Sequence, residues 1–477
     1  MSKLNATFPN VEEWLGIPYA KAERFQKPTL LNFDPSKKYD KKGFAPLQAG
    51  DTSWLEADTG FSEDCLNLNV WAPVDRGDEL LPVVIYIYGG GWVLGSNGQT
   101  TSNAAGLAAT GRVIGVSINY RLGPFGWLSL AQFGGKLKDA TNLGLQDMIT
   151  ALKWVKENIA TFGGDPNNVT LTGHSAGAYS CLHLLAAPEA DGLFHHIAAF
   201  SGMPARLVPA WASEERALEV LKAFDCVDNP EKLLEVDAYE LAEAMSATQA
   251  KDPGVQHGID NIVIAVTDDR HLESGVIAEH VMDLLKSGQK KDIDILFSST
   301  SEENFYWVLY RTEDYDPITI NNLVEEYAHA NRMTLTKARE IIDTFDINNR
   351  KPVEVRGYLL TDFSFTLPQT RGAIAHANAG GKAYLMAIGP VEGAEYAVHG
   401  TEMYGIVGQT SPNASEEQKI RDTQVRDAIL DLAEGKDLPW PTVTKEKLYV
   451  NGVGNLPYDA TEHAKLVLET FDGVERP

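Results

Sequence analysis

The run "PVVIYIY" (82–88) constrains the fold most, because Val83 to Ile87 is apolar at every position. A strand with one wet face alternates apolar and polar residues; a strand covered on both faces does not. Comparable strand-like runs are "LNLNVW" (66–71), "VIGVSI" (113–118), "NVTLT" (168–172), "HIAAFSG" (196–202), "DIDILFSS" (292–299) and "KAYLMAIG" (382–389). Helical patterns lie between them. In "NLGLQDMITALKWVKENIATF" (142–162), Leu145, Ile149, Leu152 and Ile159 recur at helical spacing. Strands alternating with helices predict an α/β fold: a mostly parallel central sheet with helices on both faces. The stretches 205–290 and 305–378 are mostly helical in pattern. We read them as helical insertions that cap the carboxyl edge of one domain spanning residues 1–477, a length that allows a large buried core.

Composition excludes several function classes. With 41 Lys and Arg against 66 Asp and Glu, the formal charge is −25. Such a surface repels phosphate backbones and anionic lipids, so neither nucleic acid nor membrane is an expected partner. No stretch approaches the roughly 18 uninterrupted apolar residues of a membrane span. The start, "MSKLNATFPNVEEW", has no apolar core of a secretory signal. The three cysteines, Cys65, Cys181 and Cys226, are too few for a disulfide framework and suit a reducing, cytoplasmic compartment. Their spacing resembles no metal site, and His195 and His196, adjacent on a strand, point to opposite faces. No metal or organic cofactor is implied, and nothing marks an oligomeric state.

The chemistry is carried by "VTLTGHSAGAYSCLHLL" (169–185). A strand enters, a helix leaves, and Gly173 and Gly177 let the two backbones approach. Ser175 between them is pushed out at the strand's carboxyl end, and the helix amino terminus beneath it favours negative charge. A serine hydroxyl is a weak nucleophile at neutral pH; it needs a base, and the base needs an orienting carboxylate. In an open α/β sheet these partners follow later strands. After "DIDILFSS" come Glu302 and Glu303; after "KAYLMAIG" comes His399. The order Ser, acid, His suits this architecture. Gly89, Gly90 and Gly91, directly after another strand, form a loop flat enough to offer N–H groups to an oxyanion.

Taken in order, "GIPYA…RF" (16–25), "SEDCLNLNVWAP" (62–73), "YIYGGGW" (86–92), "INYRLGPFGW" (118–127), "NLGLQD" (142–147), "FGGDPNNVTLTGHSAGA" (162–178), "SSTSEEN" (298–304), "HGTEMYG" (399–405) and "LPWPTV" (438–443) resemble the type-B carboxylesterase/lipase family, which includes carboxylesterases and cholinesterases. The resemblance spans nearly the whole chain and implies the α/β-hydrolase fold. It implies Ser175 as nucleophile, His399 as general acid/base and Glu302 as orienting acid, with Gly90, Gly91 and Ala176 as oxyanion donors. The family has glutamate followed by glycine, whereas Glu302 is followed by Glu303, which stays as the alternative acid. The family often has an acidic residue where His174 stands, and we read His174 as packing beside the elbow. Secreted members pair the cysteine of the "SEDC" motif with an upstream one, which Cys65 lacks. The amino-terminal segment looks short, as if an early edge strand were missing.

Arg121 and Asp147, inside these motifs, are read as a structural ion pair. Ser201 is either a donor behind the triad or part of a strand-end turn. Trp92, Phe125, Phe305 and Tyr306 are candidates for a substrate pocket. The expected activity is hydrolysis of small to medium uncharged or cationic carboxylic esters through an acyl-enzyme, by a serine hydrolase. Carbamate or activated-amide hydrolysis by the same residues, or a binding protein that has lost catalysis, are the alternatives.

Overall fold

The computed structural model describes residues 2–249, 264–310 and 319–475. Its centre is a ten-stranded sheet. In chain order the strands are β1 (Lys3–Leu4), β2 (Val11–Pro18), β3 (Asn67–Pro73), β4 (Leu81–Ile87), β5 (Ile114–Ile118), β6 (Gly164–His174), β7 (His196–Phe200), β8 (Asp294–Thr300), β9 (Ala383–Ile388) and β10 (Asn451–Val453). Across the sheet they run β1-β2-β3-β5-β4-β6-β7-β8-β9-β10. The pairs β1–β2, β2–β3 and β3–β5 are antiparallel. From β5 to β10 every neighbouring pair is parallel.

The expected strands all form, with small shifts at their ends. Every residue of β3, β5 and β9 is buried, as in strands covered on both faces, including the polar Asn67, Asn69 and Ser117. Two predictions need correction. Edge strands are present at the amino terminus: β1 pairs with β2, and β2, "VEEWLGIP", alternates buried and half-buried residues and pairs with β3. Its pairing with β3 shifts register between Trp14 and Ile17, around Gly16, where the chain passes a backbone so closely that a Cβ would lie 2.7 Å from Gly43 N. The short carboxyl-terminal strand β10 also escapes sequence analysis, because three residues carry no period.

The helix expected over 142–162 runs as α1 (Leu143–Asn158) before tightening into a 3₁₀ turn. Helix α2 (Ala176–His183) follows β6 after a single intervening residue, Ser175. Between β7 and β8 lies α3 (Ala210–Ala223). Between β8 and β9 lie α4 (Phe305–Tyr310), α5 (Pro352–Thr361), a π-helical turn at Asp362–Thr366 and α6 (Leu367–Asn378). Beyond β9 lie α7 (Met403–Val407), α8 (Glu416–Ala433) and α9 (Ala460–Thr470). Among the described residues no helix is long and apolar enough to cross a membrane. All three cysteines are free and buried.

The chain order across the sheet reverses at β4, which lies between β5 on one side and β6 on the other. Crevices of open α/β sheets form at such reversals, beyond the carboxyl ends of the strands. The glycine loop follows β4, Ser175 follows β6, Ser201 follows β7, the paired glutamates follow β8 and His399 follows β9.

Candidate active site

Ser175 has φ 54° and ψ −127°, a conformation that a residue with a Cβ rarely holds. Such strain costs on the order of 1–3 kcal/mol and persists only where the surroundings enforce it. They do. A Cβ on Gly177 would lie 2.0 Å from the Ile87 carbonyl oxygen, and one on Gly173 would lie 2.7 Å from the Gly177 carbonyl carbon. The two glycines thus let β6, α2 and the end of β4 meet backbone to backbone. The Ser175 N–H donates to Phe200 O at 2.9 Å, and Tyr179 N–H donates to Ser175 O at 2.9 Å, pinning both sides of the corner. The first N–H groups of α2, Ala176 among them, have no carbonyl within the helix to satisfy them.

The glycine loop is packed on this corner. A Cβ on Gly89 would lie 2.5 Å from His174 O and 2.9 Å from Ser175 Cβ. Gly90 and Gly91 hold φ of 113° and 60°, and the Gly90 carbonyl accepts from both Val93 N–H and Leu94 N–H. The bend therefore turns around Gly90, next to the serine. Trp92 anchors the loop: it is buried, and its indole N–H donates to Ser180 Oγ at 3.0 Å on α2.

His399 is gathered to the carboxyl edge of the sheet. Its Nδ1 lies 2.5 Å from Glu303 Oε2, and its ring centroid is 4.6 Å from that of His174, the residue before the serine. The acid facing the imidazole is thus Glu303, which corrects the expectation of Glu302. The cause is the way the chain leaves β8. Glu303 folds back so that its Oε1 accepts from Thr300 N–H at 2.8 Å, which aims the carboxylate over the strand end. Glu302 points elsewhere, its Oε2 accepting from Ser301 Oγ–H at 2.6 Å and Ala397 N–H at 2.9 Å. There it secures the loop that carries His399.

Burial dominates the electrostatics. It pushes the Glu303 carboxyl up to about 7 and the His399 imidazole down to about 3, Arg206 adding to the second effect. His174 is also pushed down by burial, to about 3, so it is neutral. Glu303 Oε1 additionally lies 2.6 Å from Ser201 Oγ, which lies 2.5 Å from Glu402 Oε1. Ser201 therefore stands behind the acid as a hydrogen-bonding group and also occupies a strained turn, with φ 54°.

The four aromatic pocket candidates part company. Tyr306 is exposed, with its ring 6.4 Å from His399. Phe305, one position earlier on α4, faces away and stacks on Tyr396 at 4.4 Å. Phe125 is buried beneath the Arg24 guanidinium at 5.5 Å, and Trp92 serves the loop as described. Two rings that the sequence did not single out stand nearer to the imidazole: Trp307 at 5.1 Å and Phe365 at 5.7 Å. Phe365 is in the π-helical turn, whose register no simple period reveals. Arg121 and Asp147 form the expected buried ion pair, with Nη2 to Oδ1 at 2.7 Å and Nε to Oδ2 at 2.8 Å.

The chain is similar to known proteins over most of its length. The Carboxylesterase family matches residues 2–433. The chain is 33% identical over 388 residues to the para-nitrobenzyl esterase of Bacillus subtilis (strain 168), covering 79% of this chain and 74% of that one. It is also 33% identical over 339 residues to an acetylcholinesterase of Leptinotarsa decemlineata, there covering 64% of this chain and about half, 53%, of the relative. Among solved structures, a PNB esterase superposes with a TM-score of 0.83 at 26% identity over 98% of this chain and 97% of that one. A carboxylesterase of Geobacillus stearothermophilus gives 0.82 at 27% identity over 97% of each chain. The fold is therefore the α/β-hydrolase fold shared with these esterases.

Proposed function

Because the chain belongs to the carboxylesterase family of serine hydrolases, we propose that it cleaves small to medium carboxylic esters, uncharged or cationic, with Ser175 as nucleophile, His399 as general base and acid, and Glu303 as the orienting carboxylate. The observation that carries this reading is an imidazole held at Nδ1 by a buried carboxylate, with its ring 4.6 Å from that of His174, the residue before a serine on a strained strand-to-helix corner.

With Nδ1–H given to Glu303, the imidazole keeps Nε2 as its basic nitrogen. Nε2 takes the hydroxyl proton as Ser175 Oγ attacks the ester carbonyl carbon. The oxyanion that forms is received by the N–H groups of Gly90, Gly91 and Ala176; one such donor is worth about 3 kcal/mol of transition-state stabilisation. The imidazolium then protonates the departing alcohol, which leaves an acyl group on Ser175. Water, deprotonated by the same nitrogen, attacks the acyl carbon and restores the serine. The rings of Trp307, Tyr306 and Phe365 around His399 supply apolar contact for an uncharged ester and π-faces for a cationic one.

Ser175→Ala tests the assignment. It should abolish release of p-nitrophenol from p-nitrophenyl acetate while leaving the circular dichroism spectrum intact, and an organophosphate should label the wild type at Ser175 only. Near-normal turnover by the variant would remove Ser175 from the reaction. A panel including a para-nitrobenzyl ester, a choline ester and a matched carbamate then defines the range; a carbamate preferred in kcat/KM would overturn the ester assignment.

A further inference from the structure

The Ser201 hydroxyl has one hydrogen, yet its oxygen lies 2.6 Å from Glu303 Oε1 and 2.5 Å from Glu402 Oε1. Both glutamates are fully buried. Two contacts this short to carboxyl oxygens need two hydrogens, so one carboxyl must carry a proton. Hydrogen-bond supply decides which. Glu303 is met by Thr300 N–H, His399 Nδ1 and Ser201, three groups that stabilise an anion. Glu402 has only Ser201 at Oε1, and its Oε2 has no hydrogen-bond partner. A buried carboxylate so poorly served is costly, whereas a neutral acid in the same place is not.

We propose that Glu402 is a positioning residue held as the neutral acid, donating its proton to Ser201 so that Ser201 in turn donates to Glu303 and keeps Glu303 the anion that orients His399. The chain of hydrogen bonds then has one direction, from Glu402 through Ser201 to Glu303, where it meets the His399 N–H coming from the other side. The proposal rests on Glu303 and His399 acting as described above.

From β6, His174 Nε2 approaches Glu402 Oε1 to 3.8 Å, too far for a hydrogen bond, and is itself without a partner. Burial keeps His174 neutral although Glu402 pulls its pKa the other way, so His174 offers Glu402 no counter-charge. From β4, the Tyr86 phenol is buried and neutral. Behind α7, Arg421 is already bonded to Asp422 at 2.7 Å and donates to Thr401 O at 3.2 Å. Burial, the largest influence, and the nearby Glu303 raise the Glu402 carboxyl against the opposing pull of His174 and the hydrogen bond from Ser201. Ser201 is held for this task by a strained φ of 54°, with its N–H donating to Ser298 O at 2.8 Å.

Full pH profiles of kcat/KM on p-nitrophenyl acetate test this for wild type, Glu402→Gln and Ser201→Ala. Glutamine keeps the shape, the neutrality and a donor. Whatever it does to kcat, it should leave the acid limb within about 0.3 pH units of wild type, because no charge has been removed. An anionic Glu402 predicts instead a fall of roughly one to two units on neutralisation, and that result overturns the proposal. Ser201→Ala deprives Glu303 of a donor and should move the limb up by about half a unit to one unit; an unmoved limb also overturns it. Infrared difference spectra give a readout that needs no active variant: wild type at about pH 8 should show a protonated-carboxyl stretch, and its absence refutes a neutral Glu402. A wild type with no esterase activity but with that stretch would instead refute the catalytic reading alone.

Discussion

Replacing each glutamate of the adjacent pair by glutamine separates the two roles sharply. In Glu303→Gln the side chain keeps its shape but must place one oxygen and one NH₂ group. Oε1 now accepts from Thr300 N–H at 2.8 Å, a donor that cannot turn around. The amide oxygen therefore stays on that side and the NH₂ group faces His399 Nδ1, where a carboxylate oxygen stood at 2.5 Å. A donor facing Nδ1 forces the proton onto Nε2, the nitrogen that must accept from Ser175. The imidazolium also loses its counter-charge in a buried site. Reversing the tautomer at a catalytic histidine costs about 10⁴-fold in kcat, or about 5.5 kcal/mol of barrier. In Glu302→Gln the amide oxygen can still accept from Ser301 Oγ–H and Ala397 N–H, both of which now converge on Oε2. The loop carrying His399 is kept, and kcat/KM should fall by less than about tenfold. The assay is p-nitrophenyl acetate hydrolysis at saturating and limiting substrate, with thermal melts confirming that both variants fold. A larger loss for Glu302→Gln, or a Glu303→Gln variant within tenfold of wild type, would refute the assignment and the tautomer argument with it.

Three further outcomes follow from the same structure. Activity needs an anionic Glu303 beside a neutral His399, and burial sets the former near about 7, so kcat/KM should fall as pH drops through an apparent pKa close to 7 that belongs to the pair; a limb near 4 would contradict it. Gly177→Ala drives a methyl group to 2.0 Å from a backbone carbonyl, and should cost about 3 kcal/mol or more, seen as lost soluble expression or a lowered Tm. His463 on α9 lies 2.8 Å from Asp362 in the π-helical turn; burial alone would lower its pKa, but Asp362 outweighs that and raises it. Its contribution to stability is therefore fully present below about pH 6.5 and is lost as pH rises through the raised value, so His463→Gln should lower Tm more at about pH 6 than at about pH 9.

Much of the fold was legible because burial on two faces leaves a mark in sequence. "PVVIYIY" could only be an inner strand, and the alternation of such runs with amphipathic helices already implied a sheet wound on both sides. Ser175 was legible for a local reason: strand, glycine, serine, glycine and helix are contiguous, so the corner is written within a few residues. Strand β2 was not, since its "VEEWLGIP" pattern mixes acidic residues with apolar ones and only pairing with β3 shows which side is inward. The aromatic rings around His399 were hidden in another way. Tyr306 and Trp307 face it while Phe305 turns towards Tyr396, a division set by the axis of α4 and not by composition.

The acid shows where local pattern stops being informative. Glu302 and Glu303 are chemically identical and adjacent, and neither is followed by the glycine that would have set the register. Their difference is made by partners remote in sequence. Ala397 N–H, 95 residues on, holds Glu302 to the loop, while Ser201 Oγ, 102 residues earlier, and His399 Nδ1, 96 residues later, claim Glu303. A choice between neighbours in a turn is thus settled by three strand ends meeting at one edge of the sheet. The same edge supplies the environment that makes the choice matter: it buries both carboxyls and gives each an N–H and an O–H donor, but only Glu303 faces the imidazole, and Glu302 is left to tie down the loop.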